Sequence, residues 1–249
     1  MDIANFDEVN KVLSDINPWA IVNAAGYVKV DNAENDRERC MRENAFGPVN
    51  LATICRNREI GLINFSSDLV FDGESNKPYL ESSATKPLSV YGLSKKQAEE
   101  RILKLYPQAL IIRTSAFFSP WDEYNFVTQA LKHIHKGQVF MASSENVVSP
   151  TYVPDLVNAS LDLLIDGESG IWHLTNPSEI TWSDFAIATA KMAGFDHSLV
   201  KPFTPNKRSY LAGRPIYSAL GSERGLLLPP LHHAIKRYVN ECDLIEYSR

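Results

Sequence analysis

Apolar residues gather in three short unbroken runs in the first half of the chain: Ala20–Ala25, Leu62–Ser66 and Ala109–Thr114. None alternates polar with apolar. A strand with one wet face alternates, because successive side chains point to opposite sides; an unbroken run belongs to a strand buried on both faces, as in a parallel sheet. Between the runs the apolar positions fall at helical spacing. Val9, Val12, Leu13 and Ile16 mark a helix over Asp7–Ile16, and Leu93, Ala98, Ile102 and Leu105 mark another over Tyr91–Leu105. Asp36–Arg58 reads as one long helical stretch that Gly47-Pro48 is expected to kink or split. Strand and helix in alternation predict βαβ units and an α/β fold with a doubly wound parallel sheet.

The pattern changes after about Ser144. Prolines thicken and the elements shorten. Pro154–Ile165 is predicted as a helix with proline in its first turn, Ile171–Thr175 as a strand, and Trp182–Ala193 and Leu231–Asn240 as helices. The expected division is a sheet domain over 1–144 and a smaller lobe over 145–249, with a C-terminal segment returning to the core.

Composition narrows the function classes. At 249 residues the chain can bury a substantial core, and its 44% apolar and 22% charged residues are ordinary for a globular protein. A net charge of −5 gives no electrostatic reason to expect nucleic acid or an anionic membrane as partner. No apolar run reaches the 18 residues of a membrane span, and Met1–Asn5 lacks the basic start of a signal peptide. Three widely spaced cysteines, Cys40, Cys55 and Cys242, fit a reducing cytoplasm, and Cys40 and Cys55 fit helix packing. His133-x-His135 and His232-His233 have no cysteine or carboxylate beside them at ligand spacing, so no metal site is expected. The acidic run Asp31–Glu38 reads most simply as a solvated helix start.

The sharpest chemical pattern is Tyr91-Gly92-Leu93-Ser94-Lys95. Of ten tyrosines, Tyr91 is the one with lysine four residues on, which places both on one helical face. A neighbouring ammonium favours the phenolate and is expected to ready the phenol for proton exchange; a surface pair with aromatic packing is the competing reading. Leu62–Ser66 runs on into Ser67 and Asp68, at the strand end where open α/β sheets bind ligands. Ser67 there can hydrogen-bond a carbonyl oxygen. The same residues equally suit the cap of a turn.

Several segments in succession resemble the dTDP-4-dehydrorhamnose reductase family of extended short-chain dehydrogenases. These are Asn23-Ala24-Ala25-Gly26-Tyr27-Val28-Lys29-Val30-Asp31, Ser66-Ser67-Asp68-Leu69-Val70-Phe71-Asp72-Gly73, Pro87–Lys95, Ile112-Arg113-Thr114-Ser115, Ser149-Pro150-Thr151-Tyr152-Val153 and Arg214-Pro215-Ile216-Tyr217-Ser218-Ala219-Leu220. The resemblance implies a Rossmann-like fold and reduction of the 4-keto group of a nucleotide-diphospho-sugar by NADPH or NADH in dTDP-rhamnose biosynthesis. It implies that Tyr91 donates the proton, that Lys95 tunes it and holds the nicotinamide ribose, and that Ser67 polarises the carbonyl. Gly26, Tyr27 and Val28 are then cofactor contacts together with Tyr91 and Lys95, and Ser67, Asp68 and Ala116 face the substrate.

The sequence departs from the family at three places. Leu69 and Ala116 stand where the family has aromatics in its sugar pocket, which removes large rigid contact surfaces. No glycine-rich turn precedes Gly26, although the family opens with one that cradles the pyrophosphate on a helix N-terminus. About 50 residues, the first two βα units, are expected to be missing. The chain is then expected to bind the dinucleotide weakly or not at all. Its run Ala20–Ala25 should stand as an apolar sheet edge, paired with another chain, an upstream domain or a second copy, or covered by Met1–Ile16. Two other functions stay open: a non-catalytic binding or regulatory module of the same fold, and an epimerase or dehydratase acting on a nucleotide sugar.

Overall fold

The computed structural model describes residues 1–206 and 210–242. In chain order its main elements are α1 (Phe6–Ile16), β1 (Ala20–Asn23), α2 (Arg37–Met41), α3 (Gly47–Arg58), β2 (Gly61–Ser67), α4 (Val90–Leu105), β3 (Leu110–Thr114), β4 (Phe117–Phe118) and α5 (Phe126–His135). Then come β5 (Phe140–Ser143), β6 (Val147–Val148), β7 (Thr151–Tyr152), α6 (Val153–Ile165), β8 (Gly170–His173), β9 (Ile180–Thr181), α7 (Trp182–Met192), β10 (Val200–Phe203) and α8 (Leu231–Glu241).

The three unbroken apolar runs become adjacent parallel strands in a sheet ordered β1-β2-β3-β8. All five residues of β3 are buried, as a strand covered on both faces requires. Leu62 and Ile111 point into a core shared with Val9, Leu13, Leu51 and Ile102, so α1, α3 and α4 cover one face. Ile63, Leu110 and Ile112 point the other way, against Leu156 and Leu163 of α6 and Trp172 of β8. A second core joins α5, α7 and α8, where Phe118 packs against Tyr152, Phe185 and Tyr238 with ring centres 5.3–5.6 Å apart. The parallel sheet flanked by helices is the α/β architecture that the hydrophobic pattern predicts. The chain crosses from sheet to lobe after β3 and returns to add α6 and β8. Residues 243–249, the end of the expected returning segment, lie outside the described residues.

Two local readings need correction. The long helical stretch does not break at Gly47-Pro48. It runs on through a π-helical turn over Arg42–Phe46, and Pro48 sits at the start of α3, where its missing N–H costs least. The acidic run is not merely solvated: Asp31 pairs with Arg214, and Glu34 accepts the backbone N–H of Val90 at 2.8 Å, at the start of α4. Helix α5 was absent from the sequence reading. Asn125 caps it by accepting from Thr128 N at 3.0 Å.

The strand β1 pairs only with β2 among the described residues. Val22 on it is 46% exposed and Trp19 just before it 70%. The N-terminal segment does not cover that edge: α1 packs on α3 through Val9 and Leu13.

Candidate active site

Helix α4 starts at a serine cap. Ser89 accepts from Gly92 N at 3.1 Å, which puts Tyr91 in the first turn and Lys95 in the next, on one face. The glycine between them has a reason. A Cβ at Gly92 would stand 2.1 Å from the carbonyl oxygen of Leu69, so only glycine lets the helix lie on the turn that follows β2. That turn carries Ser67, Asp68 and Leu69. The close approach sets the Tyr91 phenol beside Ser67 on the lining of one cavity.

Ser67 is both a cap and a site residue. Its hydroxyl accepts from Leu69 N at 3.1 Å and donates to Asp68 Oδ1 at 3.0 Å. Asp68 is buried. Ser218 donates to its Oδ2 at 2.6 Å, and Ser115 adds a further hydrogen bond. Burial pushes the Asp68 carboxyl above its ordinary range, and the three hydroxyls pull against that shift. Burial likewise pushes the Tyr91 phenol well up, helped by the charge of Asp68, while the Ser67 hydrogen bond opposes it.

Lys95 Nζ lies 5.7 Å from the centre of the Tyr91 ring and donates to the Phe65 carbonyl at 3.2 Å. Burial lowers its pKa to about 8, against the pull of Cys40 and Glu99. The expectation that the ammonium brings the phenol down is not met in this state. The phenol stays protonated through neutral pH, which is what a proton donor needs.

The floor beneath these groups is pinned by buried charge. Arg113 of β3 grips Glu99 of α4 through both carboxylate oxygens, Nε to Oε1 at 2.9 Å and Nη2 to Oε2 at 2.7 Å. Each side chain is 3% exposed, and Ser66 also donates to Glu99. A bidentate pair of this kind fixes β2, β3 and α4 against one another.

Asn44, on the π-helical turn, escaped the sequence reading. Its Oδ1 accepts from Tyr27 N at 2.8 Å, and its Nδ2 donates to Tyr27 O at 3.0 Å and to Ser94 Oγ at 3.1 Å. Ser94 in turn donates to Tyr91 O at 2.6 Å. One buried amide thus ties the 26–28 loop to the helix that carries Tyr91. A Cβ at Gly26 would meet Asn44 Oδ1 at 2.6 Å and lie 3.7 Å from Lys95 Nζ, so the bare backbone there keeps open the ground before the ammonium. A ribose, whose hydroxyls accept from an ammonium, fits that strip. Tyr27 is buried beneath the loop and Val28 faces solvent.

Ser67, Asp68 and Tyr91 line a cavity of about 340 Å³. Its polar side adds Thr114, Ser115, Asn146, Arg214 and Ser218, and its apolar side Val30, Leu69, Ala116, Phe117, Val148 and Trp182. Ala116 has φ +45°, a left-handed conformation costly for a residue with a side chain. It turns the chain out of β3, and its carbonyl accepts from Thr151 N at 3.2 Å. The structure therefore brings Tyr91, Lys95 and Ser67 together, places Asp68 and Ala116 on the same cavity as Tyr91 and Ser67, and sets Gly26 beside Lys95.

Known proteins share this architecture. The family model described as the RmlD substrate binding domain matches residues 1–242. The chain is 34% identical over 225 residues to the dTDP-4-dehydrorhamnose reductase of Mycolicibacterium smegmatis, covering 90% of this chain and 68% of that protein. It is 31% identical over 235 residues to the dTDP-4-keto-6-deoxy-D-glucose reductase of Streptomyces niveus, covering 94% and 82%. The crystal structure of Bacillus anthracis dTDP-4-dehydrorhamnose reductase in complex with NADP superposes with a TM-score of 0.92 at 28% identity, over 97% of this chain and 87% of that one.

Proposed function

The chain belongs to the dTDP-4-dehydrorhamnose reductase family, and on that premise we propose that it reduces the 4-keto group of a nucleotide-diphospho-sugar. The observation that carries the reading is the Tyr91 phenol, set beside Ser67 on the lining of one cavity with Lys95 Nζ 5.7 Å from its ring. A reduced nicotinamide dinucleotide, NADPH or NADH, supplies the hydride when bound along Gly26–Val28. The sugar's O4 accepts the Tyr91 proton as negative charge grows there. Ser67 donates to the same oxygen once it lets go of Asp68, and Lys95 holds the ribose beside the phenol. Asp68 is the one carboxylate among the described residues lining the cavity, and it is engaged by three hydroxyls. An epimerase or dehydratase needs further acid/base groups, so the site favours simple reduction.

The division into 1–144 on the cofactor side and 145–249 on the substrate side follows this chemistry, with α6 and β8 crossing back to the sheet. Among the described residues no glycine-rich turn opens a helix beside β1, so the chain by itself holds the dinucleotide weakly. Calorimetry with NADPH and NADH tests this, and micromolar affinity for either contradicts it. Self-association through the open edge of β1 accompanies that reading, and a monodisperse monomer in light scattering contradicts it. The three widely spaced cysteines favour a reducing cytoplasm; among the described residues no helix is long and apolar enough to cross a membrane. The activity itself is tested by substrate-dependent oxidation of NADPH, which Tyr91→Phe should abolish.

A further inference from the structure

Ser67 has a single hydrogen and two oxygens that need it. A serine hydroxyl donates once and accepts twice. In the structure Ser67 gives its hydrogen to Asp68 Oδ1 at 3.0 Å and accepts from Leu69 N at 3.1 Å. Reduction needs the same hydrogen on the sugar's O4, where negative charge grows. If Ser67 only turned away, Asp68 would keep a buried oxygen with its donor gone. Reversing the bond avoids that loss. Two oxygens 3.0 Å apart hold a hydrogen bond with the hydrogen on either atom, and the second lone pair of Ser67 takes one donor more.

Asp68 is placed to supply that hydrogen. It is 6% exposed and lines the cavity with Tyr91. Ser218 reaches Oδ2 at 2.6 Å, and Ser115 adds another hydroxyl. These are neutral donors. The charged and titratable groups around it are Tyr91 of α4, with Lys95 Nζ 5.7 Å from its ring, and Arg214 on the cavity wall, which Asp31 holds at 3.0 Å. Among the described residues no cation pairs with Asp68. A buried carboxyl without a counter-charge favours its neutral form. A charge kept there would also oppose the reaction. It raises the Tyr91 phenol, which makes the phenol a weaker acid, and it repels the anion forming on O4.

We propose that Asp68 is a positioning residue that acts as the neutral acid: its carboxyl hydrogen points to Ser67, and the Ser67 hydrogen so released points to the sugar's O4. The proposal rests on reading the site as that of a ketone reductase. The hydrogen count then closes. Ser67 accepts from Leu69 N and Asp68 and donates to O4, while Asp68 keeps Ser218 on its other oxygen. The carboxyl hydrogen stays on Asp68 throughout, so the proton that reaches O4 is still the one from Tyr91.

Steady-state turnover across pH, with NADPH and a dTDP-4-keto-6-deoxy sugar at saturation, tests the proposal. Asp68→Ala should lower kcat by about tenfold or more, the scale of one lost hydrogen bond, with KM little changed, since the bond matters as charge forms. Asp68→Asn keeps an N–H donor for Ser67 and should recover most of that loss. In wild type kcat should fall with rising pH through two ionisations, those of Asp68 and Lys95, and Asp68→Asn should keep only the one at about 8. Ser218→Ala removes a donor that favours the carboxylate, so the Asp68 ionisation should move to higher pH. An Asp68→Asn variant as slow as Asp68→Ala overturns the proposal, because the carboxylate itself is then required. So does a pH profile shared by wild type and Asp68→Asn, or a shift toward lower pH in Ser218→Ala. A second measurement needs no turnover: the carbonyl band of a protonated carboxyl in the infrared difference between wild type and Asp68→Asn at neutral pH. That band in a chain that reduces no sugar removes the reductase reading and leaves the acid form of Asp68 standing. Its absence from an active enzyme removes this proposal alone.

Discussion

The floor and the outer wall of the cavity are built by opposite means. The floor, at the carboxyl end of β2 and the start of α4, is held from below by the Glu99–Arg113 pair, with both side chains 3% exposed, and by the chain from Asn44 through Ser94 to Tyr91. The outer wall around Arg214 is held to Asp31 by an ion pair whose side chains are 22% and 42% exposed. Buried charge is costly to break, because the partner left behind has no water to turn to, whereas an exposed pair exchanges its partner for solvent. The chemical groups therefore sit on a rigid base, and the opposite wall of the cavity adjusts at little cost. Leu69 and Ala116 extend the contrast: they line the cavity with aliphatic side chains.

The largest effect should come from the floor. Glu99→Gln leaves the Arg113 guanidinium buried without a counter-charge and should cost about 3–5 kcal/mol in urea unfolding. A loss below about 1 kcal/mol would show that the pair is solvated and the floor is not rigid in the way described.

Next in size is the proton donor. Tyr91→Phe should lower kcat by at least about 10²-fold, the usual scale of acid catalysis, with unfolding stability little changed. A parallel fall in both would mean that the hydroxyl holds the floor together and does not act in the reaction.

Lys95 sharpens the comparison, since it is a buried cation that the floor does not pair. Its pKa in the folded chain, about 8, lies below the ordinary 10.5. The unfolded chain thus holds more protons between those two values, and stability should rise with pH across that window. Below it the charged lysine is a standing cost. Lys95→Met should therefore raise the melting temperature at pH 7, remove the rise with pH and abolish turnover. In the wild type, turnover should fall as pH passes about 8 and the ammonium is lost. A melting temperature that drops in Lys95→Met contradicts this account.

The smallest effect belongs to the wall. Asp31→Ala should change stability by no more than about 1 kcal/mol, as exposed pairs do. A cost on the scale of Glu99→Gln would erase the distinction between the two regions.

Much of the floor is legible in the sequence and little of the wall. Strands β2 and β3 show themselves because burial on both faces leaves unbroken apolar runs, and Tyr91 and Lys95 because helical spacing alone places them together. The two-residue strands β4, β6, β7 and β9 are too short to carry any period. Helix α5 carries Val127, Ala130, Leu131 and Ile134 at helical spacing behind the cap Asn125, a signal that the sequence does contain. Asn44 and Glu34 sit in a helical, charged stretch where nothing local separates a buried clamp from a wet side chain. Asp31 and Arg214 meet across 183 positions of sequence, and no period or motif within either segment records that contact. The π-helical turn at Arg42–Phe46 has no sequence signature of its own, and Gly47-Pro48 beside it points to a break that the chain does not make.

The central claim is that this cavity delivers hydride to a sugar C4 while Tyr91 protonates the neighbouring oxygen. The direct measurement uses NADPH carrying deuterium at the transferable nicotinamide position, at millimolar concentration, with a dTDP-4-keto-6-deoxy sugar and either wild type or Tyr91→Phe. The account predicts deuterium on C4 of the product sugar with wild type and at least about 10²-fold less with the variant. No transfer by wild type, or equal transfer by both proteins, would contradict it.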